Sequence, residues 1–156
     1  MAEALAKSDT TRTARVLVAH AYFRALDAKQ ALKAKPYPPL ATLYVAAALR
    51  EAGHDVAFFD AMLAPDETAF LEPLATAAPD VVVLYEDNFN FLTKMCTTRN
   101  RDATLEMIRM AKAVGARPIL VRTGNGADTE GRLPPGSDVE VFDDLAAASA
   151  ALLKDQ

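Results

Sequence analysis

Polar side chains and glycines that could bind a ligand follow three apolar runs of the sequence. His20 follows the first run, the acidic and amide residues 86–88 follow the second, and the turn 123–126 follows the third. A neutral imidazole can coordinate a transition metal, carboxylates and amides form hydrogen bonds with polar ligands, and glycines let the backbone approach a ligand closely. If the fold brings the ends of these runs together, the three groups form one binding site.

Cys96 is the single cysteine of the chain. One cysteine excludes an internal disulfide and any zinc or iron–sulfur site built from several cysteines of this chain. Two interpretations stay open for Cys96 itself, a reactive thiol near a metal or a small buried hydrophobic residue. His54 follows Gly53 at the start of a later apolar run, where we expect a structural role.

The chain has 156 residues, of which 51% are hydrophobic and 24% charged, and its formal net charge is −4. These values predict a single globular domain at residues 15–156 after a flexible N-terminus at residues 1–14. No stripe of basic residues is present to bind phosphates, so we expect no nucleic-acid partner. The apolar runs fall far short of the roughly 20 residues of a membrane span, and the N-terminus lacks a signal-peptide core, so we expect no membrane contact and a cytoplasmic location.

Runs typical of strands alternate with stretches typical of helices. Strands are predicted at residues 16–19, 54–60, 80–85, 118–121 and 139–142. Helices are predicted at residues 40–52, 70–78, 98–114 and from Asp144 onward. Because this alternation requires right-handed crossovers between parallel strands, it predicts an α/β fold with a doubly wound five-stranded parallel sheet, flavodoxin-like or Rossmann-like, in the strand order 2-1-3-4-5.

Apolar residues at helical spacing predict which face each helix turns to the sheet. In the first helix, Leu40, Leu43, Tyr44 and Ala47 follow the i, i+3, i+4, i+7 rule and are predicted to face inward. The inward residues predicted for the second and third helices are Phe70, Leu71, Leu74, Ala78, Ala103, Met107, Met110, Ala111 and Val114.

The ligand crevice of such a sheet lies beyond the carboxyl ends of the strands. Three long connections, at residues 19–39, 86–98 and 122–135, are expected to meet there. A flavodoxin phosphate loop is excluded because no glycine follows the first strand, and a receiver domain because no acidic pair does. A dinucleotide fingerprint is excluded because the pair Gly124 and Gly126 comes too late and is predicted to lead into no helix.

Several segments, taken in order, resemble one family. Residues 37–40 (YPPL) and 46–56 (AAALREAGHDV) resemble the N-terminal cobalamin-binding domain of cobalamin-dependent radical S-adenosylmethionine enzymes. Residues 79–82 (PDVV) resemble a strand of the same family, and residues 86–96 (EDNFNFLTKMC) resemble its branch related to the anaerobic magnesium-protoporphyrin monomethyl ester cyclase. The similarity covers about residues 15–130.

The resemblance implies that cobalamin is the cofactor and that a radical S-adenosylmethionine domain or protein is the partner, in methyl transfer or related radical chemistry. The family's iron–sulfur cluster needs a C-x-x-x-C-x-x-C motif, so with Cys96 alone this chain is not expected to be catalytic by itself. The D-x-H-x-x-G motif of other cobalamin proteins is replaced by Ala19 to Arg24 (AHAYFR), which implies base-off binding without a histidine ligand. His20 is then either a cobalt ligand or a hydrogen-bonded loop histidine.

The resemblance also implies which residues bind the cofactor, and it assigns no catalytic residue to this chain. The implied cofactor-binding residues are Tyr37, Pro39, Leu40, Glu86, Asp87, Asn88, Phe89, Asn90, Thr123, Gly124, Asn125 and Gly126. For residues 86–88 the alternative is a turn or helix-capping cluster, and for Phe89 it is packing in the core. If the nucleotide tail passes close to the turn 123–126, Gly126→Val weakens binding and His20→Ala does not.

Two other functions stay open. The chain could be a cobalamin carrier or sensor, in which the bound cofactor changes a protein contact. It could also be a degenerate interaction scaffold that no longer binds cofactor, because the family's Gly-Gly pair after the fourth strand is replaced here by residues 123–126 (TGNG).

Overall fold

A computed structural model describes residues 13–33, 35–85, 97–122, 126–144 and 147. The chain forms two compact units, Met1–Val114 and Gly115–Gln156. Both units contain parallel strands with helices between them.

The first unit contains a three-stranded parallel sheet. Its strands are β1 (Arg15–His20), β2 (Asp55–Phe59) and β3 (Val81–Tyr85), in the order β2-β1-β3. Val16 of β1 is opposite Val56 and Val81, and His20 is opposite Tyr85. Residues 16–20 of this central strand are buried, which fits an apolar run covered on both sides.

Helices cover both faces of this sheet. The helices are α1 (Ala28–Lys33), α2 (Leu40–Glu51), α3 (Leu71–Ala77) and α4 (Thr97–Ala113), and short 3-10 turns lie at Arg24–Leu26, Ala61–Leu63 and Glu67–Phe70. On one face, Val16 and Val18 pack with Ala46 of α2. On the other, Leu17 and Ala19 pack with residues of α3 and α4. The doubly wound arrangement predicted from the sequence is therefore present in this unit.

The face that α2 turns to the sheet differs from the prediction. Thr42 and Ala46 are the buried residues of α2, whereas Leu40 is 62% exposed and Tyr44 74% exposed. The predicted inward stripe, which also includes Leu43 and Ala47, is therefore wrong. Because the first ten residues of α2 carry no charge, more than one stripe satisfies helical spacing, and the small Ala46 is the one that packs against the branched side chains of β1.

The predictions for α3 and α4 hold at most positions. Phe70, Leu74, Ala103, Met107 and Ala111 are buried, but Leu71, Ala78 and Val114 are exposed, contrary to prediction. The last two lie beyond the helix ends: α3 stops at Ala78, which adopts a left-handed conformation, and α4 stops before Gly115, whose φ is +93°.

The second unit contains a parallel pair of short strands, β4 (Ile119–Val121) and β5 (Glu140–Phe142), with helix α5 (Gly126–Glu130) between them in sequence. Arg122 bonds to Glu130 at 2.7 Å and to Asp143 at 2.6 Å. The hydrogen bond from Arg122 holds the pKa of the Glu130 carboxyl below its usual range, and Arg117 lowers the pKa of Glu140 in the same way.

Two predictions concern the start of α5 and the segment after β5. The sequence predicted no helix after Gly126, and this was wrong because α5 begins there. The dinucleotide fingerprint stays excluded, since a threonine occupies position 129, where the motif requires its third glycine. Asp144 accepts a hydrogen bond from the Ala147 N–H at 2.7 Å, as an N-cap does, and most of the helix predicted beyond it lies outside the described residues.

The α/β fold class with parallel strands is thus confirmed, and the strands of the described residues are divided between a three-stranded and a two-stranded sheet. None of the helices among the described residues has the length and apolar character needed to cross a membrane.

Ala78 offers a test of the backbone geometry at the end of α3. Its φ of 40° is costly for a residue with a Cβ, so we expect Ala78→Gly to raise the free energy of unfolding by about 1 kcal/mol. Gly53→Ala is the matched control and should lower the free energy of unfolding. Gly53 has a φ of +90°, and no neighbour would touch the added Cβ, so only the backbone strain is tested. Urea denaturation measures both, and changes of the same sign would contradict this account.

Candidate functional site

The connection that leaves β1 at the carboxyl edge of the three-stranded sheet is buried and tied down by hydrogen bonds. Ala21, Tyr22 and Phe23 are each at most 4% exposed. The Phe23 N–H donates to Oδ1 of Asn100 on α4 at 3.0 Å, and Asn100 is itself buried. This bond holds the start of the connection against α4.

His20 ends β1 with both ring nitrogens engaged. Its side chain is 1% exposed, and Nε2 lies 2.9 Å from Oδ1 of Asp60, which follows β2. The Tyr22 N–H lies 3.3 Å from Nδ1 of His20. Because a backbone N–H can only donate, Nδ1 accepts and Nε2 carries the proton that it donates to Asp60. This geometry leaves no ring nitrogen with a lone pair free for a metal.

Asp27 organises the next part of the connection. Its buried side chain accepts hydrogen bonds from the Lys29 and Gln30 N–H groups, both at 3.1 Å, and from the Tyr22 hydroxyl at 3.0 Å. Asp27 is therefore the N-cap of α1, a helix that the sequence analysis missed. The signal was present, because Asp27 followed by Gln30 three residues later has the spacing of a capping box.

The structure places three of the predicted cofactor-binding residues between this connection and α2. Tyr37 packs on Tyr22 with ring centroids 6.2 Å apart. Pro39 is buried and is the N-cap residue of α2, while Leu40 is largely exposed in its first turn. These three residues and Tyr22 therefore lie along one stretch of backbone leading into α2.

The first turn of α2 is rich in hydrogen-bond donors. Pro39 provides no side-chain cap, so the N–H groups at this end lack the partner that an N-cap side chain would supply. Thr42 is fully buried, and its Oγ1 forms no hydrogen bond within the part of the chain that the structure describes. The same holds for the buried Nε of Arg24, although another nitrogen of that guanidinium donates to the Ala31 carbonyl.

Most of the remaining predicted residues lie in segments that the structure does not describe. Glu86, Asp87, Asn88, Phe89, Asn90, Thr123, Gly124 and Asn125 lie outside the described residues, as does Cys96. Gly126 is buried at the start of α5, and a Cβ there would lie 1.8 Å from the Val121 carbonyl oxygen. The backbone of β4 therefore requires this glycine, and Gly126→Val would disturb the fold whether or not a ligand passes nearby.

Neither His54 nor any cluster of side chains among the described residues is arranged to bind a metal ion. His54 accepts a hydrogen bond from the Ala14 N–H at 3.3 Å, as expected for a structural role. Among the described residues, no three His, Cys, Asp or Glu side chains come together in an arrangement that could hold a metal ion.

A groove of about 560 Å³ lies at the amino edge of the first unit's sheet, lined among others by Arg15, Asp55 and Pro73. This edge is opposite the carboxyl ends of the strands, where ligands of such sheets bind. The groove is therefore not the predicted crevice.

Asn100 tests how firmly the connection after β1 is held. Asn100→Leu removes the acceptor of the buried Phe23 N–H at similar volume, so we expect a loss of about 1–3 kcal/mol in unfolding free energy. The exposed neighbour Arg101 is the control, and Arg101→Ala is expected to change stability by less than about 0.5 kcal/mol. Hydrogen exchange of the Phe23 amide should accelerate in Asn100→Leu only; unchanged exchange would show that the bond is unimportant.

Comparison with known proteins gives a family match and a short match to a curated enzyme. The family model of the B12 binding domain matches residues 33–153. D-glycero-beta-D-manno-heptose-1,7-bisphosphate 7-phosphatase of Pseudomonas aeruginosa is 48% identical over 48 residues, which are 30% of this chain and 26% of that enzyme. The chain thus spans about a quarter of the length of this curated relative. No solved structure matches the chain.

The family match covers more than three-quarters of the sequence, from the end of α1 to beyond β5. It agrees with the parallel α/β architecture and with the cofactor that the sequence resemblance implies. The chain belongs to the B12-binding domain family, whose cofactor is cobalamin.

Proposed function

We propose that this cobalamin-binding domain acts with a radical S-adenosylmethionine domain or partner protein, in methyl transfer or related radical chemistry. It binds cobalamin with the nucleotide base off the cobalt and with no histidine in its place. The observation that supports the absence of a histidine ligand is His20, whose two ring nitrogens both form hydrogen bonds inside the protein. The base-off part of the proposal rests on the resemblance to the radical S-adenosylmethionine family.

The chemistry of the carboxyl edge fits the cofactor. Cobalamin presents amide carbonyls and a phosphodiester, all of which accept hydrogen bonds. The hydroxyl of Thr42 and Nε of Arg24 are donors that lack partners among the described residues, and the first turn of α2 has no capping side chain. Tyr37, which packs on the buried ring of Tyr22, lies three residues before the start of α2. When bound, cobalamin supplies a cobalt centre that can carry a methyl group or electrons.

In this proposal, the residues of the chain bind and orient the cofactor. His20 holds the end of β1 to the segment after β2 through Asp60, which also accepts from the Met62 N–H at 3.0 Å. A histidine that ligates cobalt would have to give up its bond to Asp60 or to the Tyr22 N–H. Loss of the second bond leaves the buried Tyr22 N–H unpaired, which costs about 1–3 kcal/mol. Loss of the first removes one of the two donors to the Asp60 carboxylate.

The binding mode can be tested by mixing the chain with cobalamin, reducing it to cob(II)alamin and recording its EPR spectrum. We expect retained colour after gel filtration and no splitting from an axial nitrogen. Splitting that changes when the protein is labelled with ¹⁵N-histidine would show a histidine ligand, and splitting that does not change would show that the base stays on. Loss of all colour would contradict cobalamin binding itself.

The partnership can be tested by co-expression with a C-x-x-x-C-x-x-C protein encoded beside this chain. We expect the chain alone, reconstituted with iron and sulfide, to show no cleavage of S-adenosylmethionine, because one cysteine cannot hold the cluster. The pair should copurify, and methyl transfer should require both proteins. Turnover that is unaffected when this chain is omitted would instead favour a cobalamin carrier or sensor.

A further inference from the structure

Thr42 has a hydroxyl group that the described part of the chain does not use. Its side chain is fully buried, and Oγ1 has no hydrogen-bond partner there. A buried hydroxyl without a partner destabilises the folded chain, and a valine would fill the same space without that cost. The hydroxyl is accounted for if a ligand completes its hydrogen bonding.

The position of Thr42 points to the cofactor side of the sheet. Near the other end of α2, Arg50 donates to the Val56 carbonyl at 2.9 Å, close to the start of β2. The helix therefore runs from the carboxyl edge towards the amino edge. Thr42 precedes Arg50 by eight residues, or roughly 12 Å along the axis, and so lies towards the edge where His20 ends β1.

The donors of this first turn, and of the connection that leads to it, indicate which kind of ligand they could bind. The turn has no side-chain cap, and the N–H groups at a helix start carry partial positive charge. The buried Nε of Arg24, in the connection that leads to α2, is also a donor without a partner among the described residues. A helix N-terminus without a capping side chain suits an anionic oxygen ligand, above all a phosphate.

We propose that the first turn of α2, with the Thr42 hydroxyl, is a phosphate subsite. Resting on the proposed function, we assign its occupant as the phosphodiester in the nucleotide tail of cobalamin. The subsite then holds the tail at a helix start in the first unit, on residues separate from the glycine turn 123–126. The same chemistry could also take free inorganic phosphate, which the test distinguishes.

The test compares hydroxocobalamin with dicyanocobinamide, a corrinoid that lacks the nucleotide and its phosphodiester. We expect Thr42→Val to lower the affinity for hydroxocobalamin about tenfold and to leave the affinity for dicyanocobinamide unchanged within about twofold. Thr42→Ser, which keeps the hydroxyl, should bind both as the native chain does. Thr76→Val, an exposed position on α3, is the matched control and should change neither affinity. Isothermal titration calorimetry measures both affinities for each protein.

Stability provides an independent measurement. Because Thr42→Val removes an unpartnered hydroxyl at nearly constant volume, we expect it to unfold at the same or a higher urea concentration than the native chain. A clearly less stable variant would mean that the hydroxyl is bonded within the chain, which would overturn the proposal. Equal losses for both corrinoids, or no loss for either, would overturn the assignment to the tail.

The two proposals fail in different ways. If the native chain binds neither corrinoid, the proposed function fails, and thermal unfolding with inorganic phosphate tests the subsite alone. Phosphate that raises the midpoint of the native chain but not of Thr42→Val would support a phosphate subsite that takes the free ion. No shift in either protein would overturn the subsite.

Discussion

Burial of β1 between two helical layers is the constraint on which the rest of the first unit depends. His20 and residues 21–23, at the end of this strand, are also buried, so the protein must supply the hydrogen-bond partners of their polar groups. His20 donates to Asp60 and accepts from the Tyr22 N–H, and the Phe23 N–H donates to Asn100. The same hydrogen bonds also position the connection that leads to α2. They therefore both pair the polar groups at the end of β1 and shape the carboxyl edge of the sheet.

The sequence predicted best the strands and helices whose burial leaves a clear pattern of apolar residues. An uninterrupted β-branched run favours a strand covered on both sides, and small and apolar residues at helical spacing favour a helix packed on a sheet. The runs of β1 and β3 and the buried stripe of α4 could therefore be located from the sequence. The orientation of α2 could not be predicted. Its first ten residues lack charge, so packing decides which side faces the sheet, with Ala46 buried and Val45 and Leu49 packed beside it.

The sequence predicted a binding site at the carboxyl edge of the sheet, and this location stays a prediction. The carboxyl edge, Tyr37 and the start of α2 follow from topology and from the resemblance of the segment YPPL. The role of His20 did not follow, because a histidine at a strand end has the same sequence signature whether it binds a metal or a carboxylate. Asp60, its partner, is 40 residues away, and only the parallel pairing of β1 with β2 brings the two together.

The polar groups at this edge are of two kinds, acceptors that bond within the chain and donors that have no partner among the described residues. Asp27, Asp60 and Asn100 are acceptors, and each is used by donors of the chain itself. The groups without partners among the described residues, Thr42 Oγ1 and Arg24 Nε, are able to donate, and they lie in and before an uncapped helix start. A fold that consumes these acceptors and leaves donors is prepared for a ligand that brings oxygen atoms, as cobalamin does with its amides and its phosphodiester. His20, the buried imidazole at this edge, already has both ring nitrogens engaged in hydrogen bonds.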